Sequence, residues 1–412
     1  MSVNYIALSV PIFFVLIGIE LLIARRQGIR VYRFDDSVTD MACGTGQQIV
    51  GVFLKGLLFG GYAYLYEHYR LVTFADTSVV PWLIAFFGVD FAYYWWHRAS
   101  HEVAFMWAVH VVHHQSEDYN LAVALRQAWF SGLSSWIFYA PLALLGVPVI
   151  PFVTIYAFST LYQYWIHTRL LGTLGPVEWV FNTASHHRVH HGRDDKYLDK
   201  NYAATLIVWD RLFGSFKKEE EEPKYGVVHP YASWNPVWAN FELWKQLAEK
   251  ARSTPRLADK IRVYLKPPGW VPPGAAGEPH DVAAEPRVRF VTETPRQLAV
   301  YVAAHFVPVT AVTVWLMSQT PGVMTRMMVA AAVWVLVTTV VWGGMFERKA
   351  WAFSLELVRL AAVAGAAVGL WSSGAAPMPV CVAALAAAVG SVVWVLGLRP
   401  RVTRAPNAEP IA

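Results

Sequence analysis

The sequence predicts an all-α protein, a polytopic membrane helical bundle of about nine spans with a histidine-rich cytoplasmic cap. Three observations lead there. The chain has 412 residues, of which 56% are hydrophobic and only 15% charged, too apolar for two soluble domains of that combined length. Its apolar residues gather into stretches near the length that crosses a bilayer. Ten of its 14 histidines fall between positions 97 and 191.

The spans follow in order. The first covers 4–24; it lacks a basic n-region, is long enough to cross, and is followed directly by Arg25 and Arg26, so it reads as a retained span rather than a cleaved signal peptide. The second, 46–66, carries Lys55 and several glycines. A third covers 78–96, and the fourth and fifth, 128–147 and 149–167, form a hairpin around Gly146-Val147-Pro148. Four Ala/Val-rich spans, 298–318, 325–345, 352–372 and 377–398, close the chain. Many of the 19 tryptophans lie near the ends of apolar runs, suited to the headgroup level.

No span is predicted between Arg169 and Thr294. That insert holds a charged run, Lys217 to Glu222, read as a solvated loop, and the Pro/Gly-rich PPGWVPPGAAGEP, read as a linker. The expected organisation is therefore 1–77, N-terminal spans; 78–272, a histidine-rich core of three spans plus cap; 273–297, a linker; and 298–412, a C-terminal bundle.

Charge fixes an expected orientation. With the N-terminus outside, Arg25, Arg26, Arg30 and Arg33, then Arg348 and Lys349, then Arg399, Arg401 and Arg404 all fall on the cytoplasmic side. The net charge of +5 is scattered, with no basic patch for nucleic acid. Cys43 and Cys381 lie far apart, which excludes a disulfide framework and a thiolate metal site.

The histidines form His97-Arg98-Ala99-Ser100-His101, then His110-Val111-Val112-His113-His114, then His167, then His186-His187-Arg188-Val189-His190-His191. On a helix, neighbours three and four apart share a face, so these spacings aim several rings into one space. The hairpin returns the chain to the side where the first two groups lie, placing all ten imidazoles at one membrane face. His68, His280 and His305 read as structural, and His229 as either a loop-fixing residue or a partner to a ligand. Imidazole-rich sites suit Zn, Cu, Fe or Ni. One zinc needs about four ligands, so eight or nine histidines are enough for two metals.

HRASH, HVVHH and HHRVHH resemble the histidine boxes of the fatty acid hydroxylase/sterol desaturase superfamily of membrane di-iron oxygenases. The segments around them, from SEDYNL to GRDDKYLDKNYAATLIVWDRLFGSF, YGVVHP and KPPGWVPP, are similar to the branch that cleaves ether lipids with tetrahydrobiopterin. The resemblance is dense over about 78–272. It implies a di-iron monooxygenase in a multi-pass membrane setting, with its active site on the cytoplasmic side. The cofactors implied are two iron ions and tetrahydrobiopterin, with dioxygen as co-substrate, a lipid from the bilayer as substrate, and reductant-regenerating enzymes as possible partners.

Carried over by residue, the resemblance implies iron ligation by His97, His101, His110, His113, His114, His187, His190 and His191, with His167 as a further ligand and His186 beside the last box. Some hydroxylases of the superfamily have a histidine four residues before the equivalent of His167; here that position is Gln163. Glu102 directly follows the first box and is read as a catalytic-site carboxylate that accepts a ligand N–H. Asp118 and the segment from Asn201-Tyr202 to Trp209-Asp210 are read as similar supports or as caps and turns, and Arg188 as a headgroup or pterin contact or a supporting charge. Two other readings stand beside this one: a fatty acid or sterol hydroxylase or desaturase with the same boxes, and a membrane metal transporter or sensor. Transport calls for polar groups deep in several spans, which the C-terminal stretches lack.

Overall fold

A computed structural model describes residues 4–228, 231–274, 289–320 and 323–402, with side chains as far as 398. His229, His280 and most of the 273–297 linker lie outside the described residues. The chain is helical, and among the described residues β-structure is limited to two isolated bridges, Phe181 to Leu206 and Gly192 to Tyr225.

Six helices among the described residues are long and apolar enough to cross a membrane: α1 (Tyr5–Gln27), α2 (Phe34–Tyr69), α11 (Arg296–Met317), α12 (Arg326–Phe346), α13 (Ala350–Ser372) and α14 (Met378–Val402). The chain is an integral membrane protein. The other three expected spans are helices that do not meet that length and composition. Helix α3 (Val80–Glu102) is long, but it carries the buried Asp90. Helices α5 (Ser131–Leu144) and α6 (Val149–Trp165) have 14 and 17 residues, shorter than a straight crossing of a hydrocarbon core about 30 Å thick. Protein contacts set their ends. The Trp129 backbone N–H donates to Asn240 Oδ1 at 2.9 Å and its indole to the Cys43 carbonyl at 3.2 Å, so 128–130 belongs to the interior of the fold. Beyond α6, Tyr119 Oη donates to the Ile166 carbonyl at 3.1 Å.

The α5–α6 hairpin turns at Gly146, whose φ of +87° and close approach to the Val72 carbonyl leave no place for a Cβ. It packs on α2 and α3 through a core that includes Tyr62, Val89, Leu142 and Phe152, with Tyr62 and Phe152 stacked at 4.1 Å. A second core, around Trp342, Phe346 and Phe353, joins α2 to the C-terminal helices.

Helix α2 runs well beyond its expected span. Its 36 residues reach about 54 Å, and the extra turns carry Asp35, Asp36 and Asp40 buried into the protein. Beneath the spans lie α4 (Ala104–His114), α7 (Ala184–His190), α8 (Val208–Leu212), α9 (Pro236–Ser253) and α10 (Leu257–Leu265), with α4 resting on α9 and α10 through Ala104, Ala108, Leu247 and Val263.

Polar contacts gather the connecting segments at one end of the bundle. Arg33, after α1, donates to Asp118 at 2.8 Å and to the Phe290 carbonyl at 2.8 Å. Trp234 N–H donates to Glu347, after α12, at 2.7 Å, and Arg348 to the Glu293 carbonyl at 2.9 Å. Arg33 and Arg348, both expected on one side from charge, thus meet the same cap.

Candidate metal centre

Nine of the ten candidate histidines form two buried groups. His97, His101, His110, His114 and His190 make one; His113, His167, His187 and His191 make the other. Within each group the candidate ligand nitrogens all lie within 4.8 Å of one another. Both groups draw on several elements: α3 gives two rings, α4 three, the turn after α6 one, and α7 with its C-cap three. His110 and His114, one turn apart on α4, share the face toward the first group, and the adjacent His113 faces the second.

Backbone carbonyls fix four of the rings. Nδ1–H donates from His97 to Tyr202 (2.7 Å), from His113 to Arg126 (2.8 Å), from His167 to Gln163 (2.7 Å) and from His190 to Lys200 (3.0 Å). A carbonyl only accepts, so each of these rings is protonated at Nδ1 and presents a bare lone pair at Nε2. His113 Nε2 and His167 Nε2 nevertheless face each other at 3.2 Å. Two lone pairs that close repel, and a shared cation removes the conflict. The buried Nε2 atoms of His101 and His190 also have no hydrogen-bond partner. Two nitrogens each about 2.1 Å from a metal and 90° apart are about 3 Å from each other. The contacts His97 to His110 (2.9 Å), His110 to His114 (3.1 Å), His167 to His187 (3.0 Å) and His187 to His191 (3.2 Å) match that spacing. The donor set fits two metal ions with imidazole ligands.

Electrostatics agree. Burial, and after it the neighbouring rings, pushes His110, His114, His187, His190 and His191 well below the usual imidazole range, and burial brings His113 down to about 4. These six rings are neutral at physiological pH, as ligands must be.

The remaining candidates stand outside both groups. His186 turns toward Phe216 and toward Glu178, whose carboxylate is 4.0 Å away. Glu102 is exposed and paired with Arg98 at 2.8 Å, one turn earlier on α3. The support expected of Glu102 falls instead to the carbonyls, while Asp199 lies 3.7 Å from His101 Nδ1, beyond hydrogen-bond distance. Asp118 pairs with Arg33 and Arg289. Asp210 accepts from the Tyr202 and Ala203 amides at 2.8 and 2.9 Å and from Ser215 at 2.7 Å, holding the loop whose Tyr202 carbonyl orients His97. Asp90 does the same for Thr205, Leu206 and Trp209. His305 lies between the Tyr301 carbonyl and Ser391, and His68 against the Tyr64 carbonyl, both apart from the centre.

Sequence reasoning missed Arg126. It is buried, donates to the Val112 carbonyl (2.6 Å), Asp40 (3.1 Å) and Gln115 (2.8 Å), and its own carbonyl holds His113. The acidic pattern Asp35-Asp36-x-x-x-Asp40 ahead of an apolar run was the available signal.

Arg188 is occupied by the protein. It forms a two-pronged pair with Glu219 (both 2.6 Å) and donates to the Thr168 and Leu171 carbonyls at 2.9 and 2.7 Å, tying α7 to the chain after His167. Arg188→Met strands the Glu219 carboxylate and is expected to destabilise the protein by about 3 kcal/mol, with part of the loss recovered on adding Glu219→Gln. Denaturant unfolding in detergent reads both; an unchanged midpoint in the single variant would show that the pair contributes nothing.

A cavity of about 220 Å³ opens beside the centre, reached by His110 of the first group and by His113 and His167 of the second. Its walls come from α1, α2, α3, α5, α6 and α11, with Phe13 and Phe306 among the apolar contributors. The arrangement sets two histidine groups with the spacing to hold metal ions against a chamber of mixed lining inside a membrane protein.

Comparison with known proteins decides the family. The fatty acid hydroxylase family model matches residues 82–215, which include all ten candidate histidines. The chain is 35% identical to alkylglycerol monooxygenase of Xenopus tropicalis over 360 residues, 86% of this chain and 80% of that protein. The chain belongs to the alkylglycerol monooxygenase family. It is 40% identical to the Homo sapiens member over 308 residues, 74% of this chain and 69% of the relative, and 38% identical to the Danio rerio member over 299 residues, 69% and 66%. No solved structure matches the chain. As a member of the alkylglycerol monooxygenase family it is a membrane oxidoreductase, and the family and histidine groups together suggest iron and the use of dioxygen.

Proposed function

We propose that the protein hydroxylates the carbon next to the ether oxygen of alkylglycerol lipids, with two irons in the histidine groups and tetrahydrobiopterin as electron donor. The observation that carries this reading is the pair of imidazole groups beside a cavity of about 220 Å³ lined by both apolar and polar residues, in a chain so similar to alkylglycerol monooxygenases. Residues 78–272 form the oxygenase core in this reading. The cap is placed on the cytoplasmic side, where the basic residues gather, and enzymes that regenerate the reductant meet it there.

His97, His101, His110, His114 and His190 would hold one metal, and His113, His167, His187 and His191 the other. Bound there, the irons supply the dioxygen activation that attack on an unactivated C–H bond requires. Burial holds the ligands neutral, and the Tyr202, Arg126, Gln163 and Lys200 carbonyls aim them. Burial excludes water from the reacting carbon. One oxygen atom enters the C–H bond and the other leaves as water, at the expense of two electrons from the pterin. The resulting hemiacetal collapses to a fatty aldehyde and glycerol or its derivative.

The test is aldehyde release from a long-chain alkylglycerol by purified, iron-loaded protein, with and without tetrahydrobiopterin. Pterin-dependent release is the expected result. No release from any alkylglycerol, with turnover of a fatty acid or sterol instead, would replace this substrate with another lipid of the superfamily.

A further inference from the structure

Asp210 does more for the first histidine group than hold a loop in place. It is fully buried, and the groups around it donate. The Tyr202 and Ala203 amides reach its two oxygens at 2.8 and 2.9 Å, and the Ser215 hydroxyl reaches one of them at 2.7 Å. Ser215 gives its hydrogen to Asp210, so Tyr94 Oη, 2.9 Å away, donates to Ser215 in turn, and Arg98 donates to Tyr94 Oη at 3.1 Å. A row of donors thus ends at this carboxyl group. Three donors on two oxygens call for its ionised form. Burial lifts the group only to about 6, which leaves it ionised at neutral pH. Inside the protein its charge is weakly screened, and it polarises what it touches.

What it touches leads to His97. The Tyr202 carbonyl and the Ala203 N–H are the two ends of one peptide group. Asp210 Oδ2 accepts from the N–H end at 2.9 Å, and the carbonyl end accepts the His97 Nδ1–H at 2.7 Å. Hydrogen bonds in a row strengthen one another by roughly 10–30% per bond. Charge behind the N–H makes the carbonyl a stronger acceptor, and a stronger acceptor at Nδ1 makes Nε2 a better donor to a metal. The other ring-holding peptides are backed by neutral groups. Behind His190, the Lys200 carbonyl shares its peptide with the Asn201 N–H, which meets the Ser215 carbonyl at 3.1 Å. Behind His167, the Gln163 peptide lies in α6, where its N–H faces a helix carbonyl. Behind His113, no carboxylate bonds the Gln127 N–H among the described residues.

Resting on the two-iron reading of the proposed function, we propose that Asp210 tunes the iron of the first group through the Tyr202–Ala203 peptide and so makes the two irons electronically unequal. Asp210 is a positioning residue in this scheme: it touches no ligand and acts on His97 through a single peptide group. The added electron density favours the ferric state at the first group, where five rings gather. That iron gives up an electron at a lower potential than it would with a neutral group behind His97. The second group, with no such charge behind its rings, keeps its own potential whatever stands at position 210.

The test is a redox titration of the full-length, iron-loaded protein, with each iron followed by Mössbauer spectroscopy and iron content measured on the same samples. Asp210→Asn replaces the anion with a neutral group of nearly the same shape. It is expected to move the ferric/ferrous equilibrium of one iron roughly 10-fold toward ferrous, the low end of the effect of losing a partner behind a ligand, or about 59 mV for one electron. The other iron is expected to stay where it was. Asp90→Asn is the matched control. Asp90 anchors the same loop through the Thr205 and Leu206 amides and the Trp209 indole, but the carbonyls of those two peptides face Asn182, not a ring. It is expected to leave both potentials unchanged. Equal shifts in the two variants would overturn the proposal, as would unchanged potentials in Asp210→Asn with both irons bound.

Infrared difference spectra between the oxidised and reduced protein keep the proposal testable should Asp210→Asn fail to fold. A carboxylate band that moves with isotopically labelled aspartate is expected, and it is expected to survive Asp199→Asn, which removes the exposed carboxylate near His101. No labelled band, or one lost with Asp199, would overturn the proposal. Fewer than two irons in the unaltered protein would remove the two-metal reading and this proposal with it. The predicted shift without aldehyde release would leave Asp210 its role and remove the proposed reaction.

Discussion

Replacing His190 with alanine is expected to lower turnover by at least about 100-fold while the protein stays inserted in the membrane. Removing a mere support of a metal ligand typically costs 10–100-fold, and a ligand in a five-histidine group costs more. The His190 ring lies between 4.4 and 4.8 Å from the centroids of the His97, His101 and His114 rings, so its loss opens the middle of the first group. It also leaves the Lys200 carbonyl without its donor. Insertion is spared because the apolar cores that hold the bundle, around Trp342 and around Tyr62, lie elsewhere. Turnover and iron content per chain check this. Full activity with full iron would remove His190 from the centre.

Arg126→Met is expected to destabilise the protein by about 3–5 kcal/mol, the usual cost of breaking a buried ion pair by removing one partner. Arg126 is 2% exposed and its partner Asp40 is fully buried, with the Asp36 carboxylate also buried on the preceding turn. Without the guanidinium Asp40 loses its counter-charge beside Asp36, which keeps Arg33 and the Ser116 hydroxyl, and Gln115 and the Val112 carbonyl lose a donor. The same change loosens the segment whose carbonyl fixes His113, so iron in the second group is expected to bind 10–100-fold more weakly. Adding Asp40→Asn removes one stranded charge and is expected to recover part of the stability without the iron affinity. Thermal unfolding in detergent and iron titration separate the two effects. A variant as stable as the parent would show that Arg126 is not the counter-charge.

Much of this was legible in the sequence because the signals were periodic. Histidines spaced three and four apart brought eight of the ten rings into the two groups, because helical spacing sets which face a ring occupies, and the hairpin returned the lone His167 to them. The apolar runs marked all nine helices expected as spans, although among the described residues six meet the length and composition of a crossing. The shortfall at α5 and α6 has a local cause that hydropathy cannot register: Trp129 is apolar, but its N–H groups are bound to Asn240 and Cys43. Glu102 shows the limit of adjacency as a guide. It follows a ligand in the chain, yet the helix turns it outward to Arg98. The groups that orient the rings are mostly backbone carbonyls at Tyr202, Arg126, Gln163 and Lys200, and a carbonyl leaves no mark in a sequence. Arg126 and Asp40 meet only because α2 continues past its membrane span, and the acidic pattern at Asp35, Asp36 and Asp40 does not say which distant cation it meets.

Counting iron per chain in the purified, reconstituted protein tests the central claim most directly. Two histidine groups of five and four rings predict two irons per chain, falling to about one in His190→Ala and in His187→Ala, which break different groups. A single metal per chain that survives both substitutions would contradict a two-metal centre built from these rings.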